Sequence, residues 1–229
     1  MRLTIISGAV RHQSKSNTAK IIGAFRQGFE AGGNTTKVWF LSDRRQWDSA
    51  RAALQTEENV LFALPLYVEN VPGILLEFLE GAAADAPPQA CGRLSFLLQG
   101  GFPEASQSRC CEKFLKTLPG KLGREYGGTF IHGEMFGLSL LGEKRAKAML
   151  KPFAEAGRRF AQAGRFQGAD FANLSSPEYL SEKQIRQSRH FRPAQKCLLT
   201  VIARRLGCKT RLDARPLIED TGKIKSSER

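Results

Sequence analysis

Arg11, Ser16, Asn17 and Thr18 lie close together in the chain and carry the side chains that hold an anion: a guanidinium, two hydroxyls and an amide. Lys15 adds a further positive charge. Before them, Leu3, Ile5 and Ile6 form an apolar, β-rich run that Ser7 and Gly8 break. After them, Ile21, Ile22, Phe25 and Phe29 recur with helical periodicity, and Ser16, Asn17 and Thr18 are N-cap residue types. A helix is therefore expected to begin soon after a strand. Its first N–H groups have no intrahelical acceptors and its dipole end is positive, so a phosphate seated there is stabilised. The stretch lacks the Gly-Lys-Ser/Thr ending of a Walker A loop and the Gly-x-Gly-x-x-Gly dinucleotide fingerprint. An ordinary capped helix after a buried strand is the structural alternative.

Two later stretches suit a flat ring. Pro65-Leu66-Tyr67-Val68 offers a tyrosine and two aliphatic side chains, with backbone amides for ring heteroatoms; the alternative is a partly buried packing tyrosine. Gln99-Gly100-Gly101-Phe102-Pro103-Glu104 carries a glycine pair that lets backbone approach a ligand closely, and Phe102 could cover a ring edge. The alternative there is a tight turn needing positive φ. His132 and Glu134 follow a further apolar run and could touch a substrate, although a turn histidine is ordinarily structural.

The elements that must position these residues alternate regularly. Strands are expected at 3–6, 37–41, 59–65, 93–99 and 129–132, and helical patterns at 16–31, 44–56, 73–84, 105–122 and 142–164. Pro87-Pro88 is expected to stop the third helix. The run 59–65 is almost continuously apolar, as a strand covered on both faces of a parallel sheet must be. Parallel strands need long right-handed crossovers, so the expected class is α/β: a five-stranded parallel sheet in order 2-1-3-4-5 with helices on both faces. Ligands of such sheets bind beyond the carboxyl ends of the strands near the switch point, where the loops after strands one, three and four converge.

With these residues in place, the chain resembles the flavodoxin-like NAD(P)H-dependent FMN reductases, including their quinone-reductase and iron–sulfur flavoprotein relatives. The likeness rests on the Ser16-Asn17-Thr18 helix start, the Ala63-Leu64-Pro65-Leu66-Tyr67 strand end, Val71-Pro72-Gly73 and Gly101-Phe102-Pro103-Glu104, and it covers residues 1–165. It implies a flavodoxin-like three-layer fold that binds FMN, with NAD(P)H as co-substrate and a quinone, a flavin or a similar small molecule as electron acceptor. By that likeness Arg11, Ser16, Asn17 and Thr18 hold the FMN phosphate. Pro65, Leu66, Tyr67 and Val68 line the isoalloxazine, and Gly100, Gly101 and Phe102 flank it. No catalytic side chain is required, because the flavin carries the chemistry. The first loop reads Gly8-Ala9-Val10-Arg11 where the family usually has Gly-Ser-x-Arg, and it is slightly longer before Ser16. The cysteine ligands of the iron–sulfur branch are missing, so no cluster or metal is expected. Two other readings stay open: a flavodoxin-like electron carrier without NAD(P)H turnover, and a flavin-free interaction module.

Composition sets the remaining bounds. Of 229 residues, 41% are hydrophobic and 25% charged, which excludes wholesale disorder and leaves room for a large core. No apolar run approaches the roughly 18 residues of a membrane span, and the stretch 3–10 is too short for a signal peptide, so a cytoplasmic protein is expected. Cys91, Cys110, Cys111, Cys197 and Cys208 are odd in number and lack Cys-x-x-Cys spacing, which points to reduced thiols. The net charge of +13 steers anionic, phosphorylated molecules towards the chain, an argument against the acidic carriers. Residues 1–165 are expected to form the FMN-binding domain and residues 166–229 a basic, partly helical extension with a net charge of +6. Within it, Leu198, Leu199, Val201 and Ile202 precede Arg204 and Arg205, so a helix over 193–206 is expected to pack on the domain or at a homodimer or larger homo-oligomer contact. A membrane surface and nucleic acid are the other partners this tail admits, and residues 221–229 are expected to be disordered.

Overall fold

Parallel strands β1 (Arg2–Ser7), β2 (Thr35–Phe40), β3 (Asn59–Pro65), β4 (Arg93–Gln99) and β5 (Glu125–His132) form one sheet in the order β2-β1-β3-β4-β5. The computed structural model describes residues 1–84 and 92–214. Cys91, the Pro87-Pro88 stop and the expected disorder of 221–229 lie outside the described residues.

Strand alternation feeds two cores. Ile6, Phe62, Phe96 and Leu98 pack beneath α2 (Trp47–Thr56), α3 (Gly73–Ala84) and α4 (Arg109–Lys121), where Trp47, Phe78 and Leu115 are buried. Leu3, Ile5, Leu61, Leu97 and Phe130 face the other way, against Phe25 and Phe29 of α1 (Asn17–Glu30) and Phe153 and Phe160 of α5 (Glu143–Ala163). The α1–α5 contact is close because neither helix carries a side chain at the crossing. A Cβ on Gly28 would lie 1.8 Å from the Ala154 carbonyl oxygen, and one on Gly157 would lie 2.0 Å from that of Phe25.

The fifth strand begins at Glu125, earlier than the expected 129. Gly127-Gly128 reads as a break in the sequence but is a bulge in the structure, with the register shifting between Leu94 and Phe96. Just before it, buried Arg124 donates to the carbonyl oxygens of Leu54 (2.6 Å), Glu57 and Glu58 (3.1 Å), covering the carboxyl end of α2 with positive charge. At the same end of the sheet Arg93 and Arg165 both pair with Glu125, each at 3.1 Å.

The expected domain boundary at 165 is placed too early. Phe166 and Phe171, the latter in the short turn α6 (Ala169–Ala172), are buried in the same core as Phe25 and Phe160, with the Phe160 and Phe166 ring centroids 4.7 Å apart. The first compact unit therefore runs from Met1 to Tyr179 and the second starts at Leu180. The second unit holds α7 (Glu182–Arg205), which begins well before the expected start at Pro193. Ser181 sets that start through a capping box: its hydroxyl accepts from the Gln184 N–H (3.4 Å) while the Gln184 side chain accepts from the Ser181 N–H (2.9 Å). Pro193 is carried inside the helix.

Candidate functional site

The carboxyl ends of β1, β3, β4 and β5 share one edge of the sheet, because Ser7 aligns with Ala63, Pro65 with Gln99 and Gln99 with His132. At the end of β1 the Gly8 N–H donates to the Ala63 carbonyl at 3.0 Å. The extra length before Ser16 is taken up by a 3₁₀ turn, Gln13–Lys15, capped by the His12 ring, whose Nδ1 accepts from the Ser14 N–H at 3.3 Å. Ser16 is the N-cap of α1, and its Oγ accepts from the Ala19 N–H at 3.3 Å. The N–H groups of Asn17 and Thr18 have no intrahelical acceptor. Ser7, on the same sheet face as Leu3 and Ile5, is buried, and its Oγ has no hydrogen-bond partner among the described residues. Arg11 and Lys15 are exposed beside this start.

Gln99, buried at the end of β4, ties three loops together. Its side-chain amide donates to Thr18 Oγ1 (3.4 Å), and its carbonyl accepts from the Leu66 N–H (2.8 Å). Asn17 faces another way: its Nδ2 donates to the Met135 carbonyl at 3.0 Å and its Oδ1 accepts from the Ser139 hydroxyl. Lys20 Nζ also donates to Ser139 Oγ, at 3.0 Å. The 3₁₀ turn Met135–Ser139 is thereby fastened over the start of α1.

After β3, Pro65 is buried, Leu66 is half-buried and Tyr67 is 43% exposed. Tyr67 and Asn70 exchange two backbone hydrogen bonds of 2.9 and 3.1 Å across a two-residue turn whose central residues, Val68 and Glu69, have φ of 47° and 63°. That is the backbone of a type I′ turn, usually built from Asn and Gly. A β-branched residue in the left-handed region is strained, and Val68 is 99% exposed, so packing does not repay the cost within the chain.

After β4, buried Gly100 donates to the His132 carbonyl (3.2 Å) and accepts from the Met135 N–H (3.0 Å). Gly101 and Phe102 are exposed, Phe102 at 68%. The Phe102 carbonyl accepts from the Glu134 N–H and presses on Gly133, where a Cβ would lie 1.9 Å from it. Phe136 is also exposed, and its Cβ is 3.7 Å from the place a Cβ would take on Gly101.

A strap over residues 174–178 braces this wall. Ser176 bonds both sides of the β5 end, through its N–H to the Ile131 carbonyl (3.1 Å) and through its Oγ from the Gly133 N–H (2.7 Å). The Pro177 and Glu178 carbonyls accept from the N–H groups of Ala105 and Ser106 at 2.8 and 3.2 Å. The Glu178 carboxylate pairs with Arg109 at 2.6 Å, and the guanidinium holds its pKa below the usual carboxylate value. His132 belongs to this bracing. Its Nδ1–H donates to the Leu174 carbonyl (2.9 Å), its ring stands edge-on to Phe153, and burial pushes its pKa down. Glu134 is exposed, with φ of 60°.

The structure thus gathers every expected binding residue at one end of the sheet, with the Asn17 side chain engaged by the Met135–Ser139 turn. Ser7, Gln99, that turn and the strap are the additions that sequence reasoning missed. A polar residue directly after the apolar run Phe96-Leu97-Leu98 was the available signal for Gln99. Among the described residues no group of His, Cys, Asp and Glu could hold a metal ion.

No protein-family model matches the sequence, and no curated protein matches it. Solved structures do match in three dimensions. The NAD(P)H:quinone oxidoreductase from Methanothermobacter marburgensis is 15% identical over 71% of this chain and 98% of its own, with a TM-score of 0.53. This chain has a flavodoxin-like fold. The NADH:FMN oxidoreductase EMOB in its apo form shares the flavodoxin-like fold at 14% identity over 80% of this chain and 98% of its own, with a TM-score of 0.51. So does the Trp repressor binding protein from Bacillus subtilis, at 16% over 67% and 96%, with a TM-score of 0.50.

Proposed function

We propose that this protein binds FMN without covalent attachment at the carboxyl end of the sheet and uses NAD(P)H to reduce a quinone, a flavin or a similar acceptor. One observation carries the reading: buried Gln99 joins the helix start at Thr18 to the loop at Leu66 at the carboxyl end of the sheet. The same end of the sheet also holds orphan donors. The unpartnered Ser7 hydroxyl and the Asn17 and Thr18 N–H groups fit a phosphate, with Arg11 and Lys15 supplying charge. In this assignment Asn17 contributes its backbone, since its side chain holds the Met135–Ser139 turn. Two solved structures of the same fold are named as an NAD(P)H:quinone oxidoreductase and an NADH:FMN oxidoreductase, which supports the same class of chemistry here.

The bound flavin supplies hydride acceptance and onward reduction. The chain's own residues supply position. Leu66, Tyr67 and Val68 on one side and Gly100, Gly101 and Phe102 on the other hold a ring between them, and exposed Phe102 and Phe136 leave an apolar approach for a second flat molecule. The excess of positive charge favours the approach of phosphorylated dinucleotides.

FMN titration tests the reading. FMN should raise the melting temperature, as a ligand that binds only the native state must. Ser16→Ala combined with Thr18→Ala should weaken FMN by at least about tenfold, because it removes two hydroxyls together with the Ala19 cap and the Gln99 tie that shape the phosphate site. Protein that stays colourless with FMN, with an unchanged melting temperature, would sink the proposal. Steady-state NADPH oxidation with a quinone separates an enzyme from an electron carrier, which would bind FMN and show no turnover.

A further inference from the structure

Helix α7 shows a side-chain pattern for which the flavin cleft has no use. Leu198, Ile202 and Leu206 recur at every fourth position, with Leu199 and Val201 beside them. Leu198 is 53% exposed and Leu206 81%, and Leu199 and Val201 are exposed as well. Arg204, Arg205 and Lys209 are exposed around the same turns. Residues 180–229 carry 13 Lys and Arg against five Asp and Glu, a net +8. Asp213 pairs with Lys196 and Arg211 at 3.2 and 3.1 Å.

We infer that α7 is an interfacial helix that lays its Leu198–Leu199–Ile202–Leu206 stripe into the surface of an anionic lipid bilayer. The inference goes beyond the flavin reading and does not depend on it. Charge selects the occupant. Two copies of α7 set face to face would oppose cation to cation, a costly arrangement at an interface. A nucleic acid would satisfy the cations but leave the leucines in water. An anionic bilayer satisfies both, since apolar side chains enter the headgroup boundary while long basic side chains reach back to the phosphates. Among the described residues no helix is long and apolar enough to cross a membrane, so the contact is with the surface.

Co-sedimentation of the full-length protein with vesicles of phosphatidylglycerol or of phosphatidylcholine tests this. Binding is expected to the first and not to the second, and to weaken as salt rises. Leu198→Ser with Leu199→Ser should weaken it by at least about tenfold, the loss expected from two unburied leucines. Arg204→Gln with Arg205→Gln keeps the apolar stripe and should also weaken binding by about tenfold or more. Unchanged melting in both variants confirms that the first unit is intact. The inference fails if neither vesicle is bound, or if both are bound equally. It also fails if a DNA duplex is bound in preference to phosphatidylglycerol with no effect of the leucine changes, or if the chain forms a lipid-independent dimer that those changes dissolve.

Discussion

The two ends of the sheet are finished in opposite ways. At the amino end, buried Arg124 donates to the backbone carbonyls of Leu54, Glu57, Glu58 and Arg93, and Arg93 and Arg165 both pair with Glu125. At the carboxyl end, Ser7 keeps an unpartnered buried hydroxyl, Val68 bears an unfavourable φ, and Phe102 and Phe136 stand in solvent. At the first end most of the polar groups are matched within the chain, Arg93 Nε excepted, and the second keeps donors together with exposed apolar surface. The first arrangement stabilises the fold, whereas the second is what a ligand can use.

The largest effect on this contrast should come from Arg124→Met. Removing the guanidinium takes the side-chain donor from the carbonyls of Leu54 and Glu57, while Glu58 keeps the Arg93 N–H at 2.6 Å, and should cost about 3 kcal/mol of unfolding free energy in urea titrations. FMN affinity should hold constant, because the change lies at the far end of the sheet. A loss of FMN affinity in that variant would mean that the two ends are not independent.

Val68→Asn should act in the opposite direction and less strongly. Asn tolerates the left-handed region and suits a type I′ turn, so the variant should gain about 1 kcal/mol, read as a higher urea midpoint. A loss would show that Val68 is supported by contacts beyond this chain's own packing.

The smallest effect is a pH slope. Burial lowers the pKa of His132 in the folded state, so the unfolded chain takes up this proton first. The stability that neutral His132 contributes is therefore fully present above the ordinary histidine value of about 6.5 and is lost as pH falls below it, towards the depressed folded value. His132→Gln should flatten that part of the stability profile. An identical slope in the variant would place the titration elsewhere.

Most of this fold was legible in the sequence because the signals were local. The continuous apolar run at Asn59–Pro65 marked a strand covered on both faces, and Ser16 before Ile21 and Phe25 marked a helix start. What was not legible depended on distant partners. Gly127-Gly128 looked like a break because the Leu94 side of the bulge lies on another strand. Phe166 and Phe171 belong to the core only because Phe25 and Phe160 leave room for them, which no periodicity in residues 166–179 announces. Pro193 appeared to open a helix that Ser181 and Gln184 had already started. In the site, Ser16, Thr18 and Gly100 were readable by type, but Gln99 gained its role from Thr18 and Leu66 together.

The strap over 174–178 also sets an order of assembly. A ribosome delivers the Gly100–Ser106 loop well before Ser176, Pro177 and Glu178, so for that interval the Ala105 and Ser106 N–H groups are without the acceptors they keep in the finished chain, and Arg109 has Glu112 but not Glu178. The sheet can form from residues already made, but the wall that carries Phe102 is clasped only when the strap arrives. Completion of that wall is thus coupled to completion of the first unit, and a nascent chain halted before Ser176 would display the sheet without it.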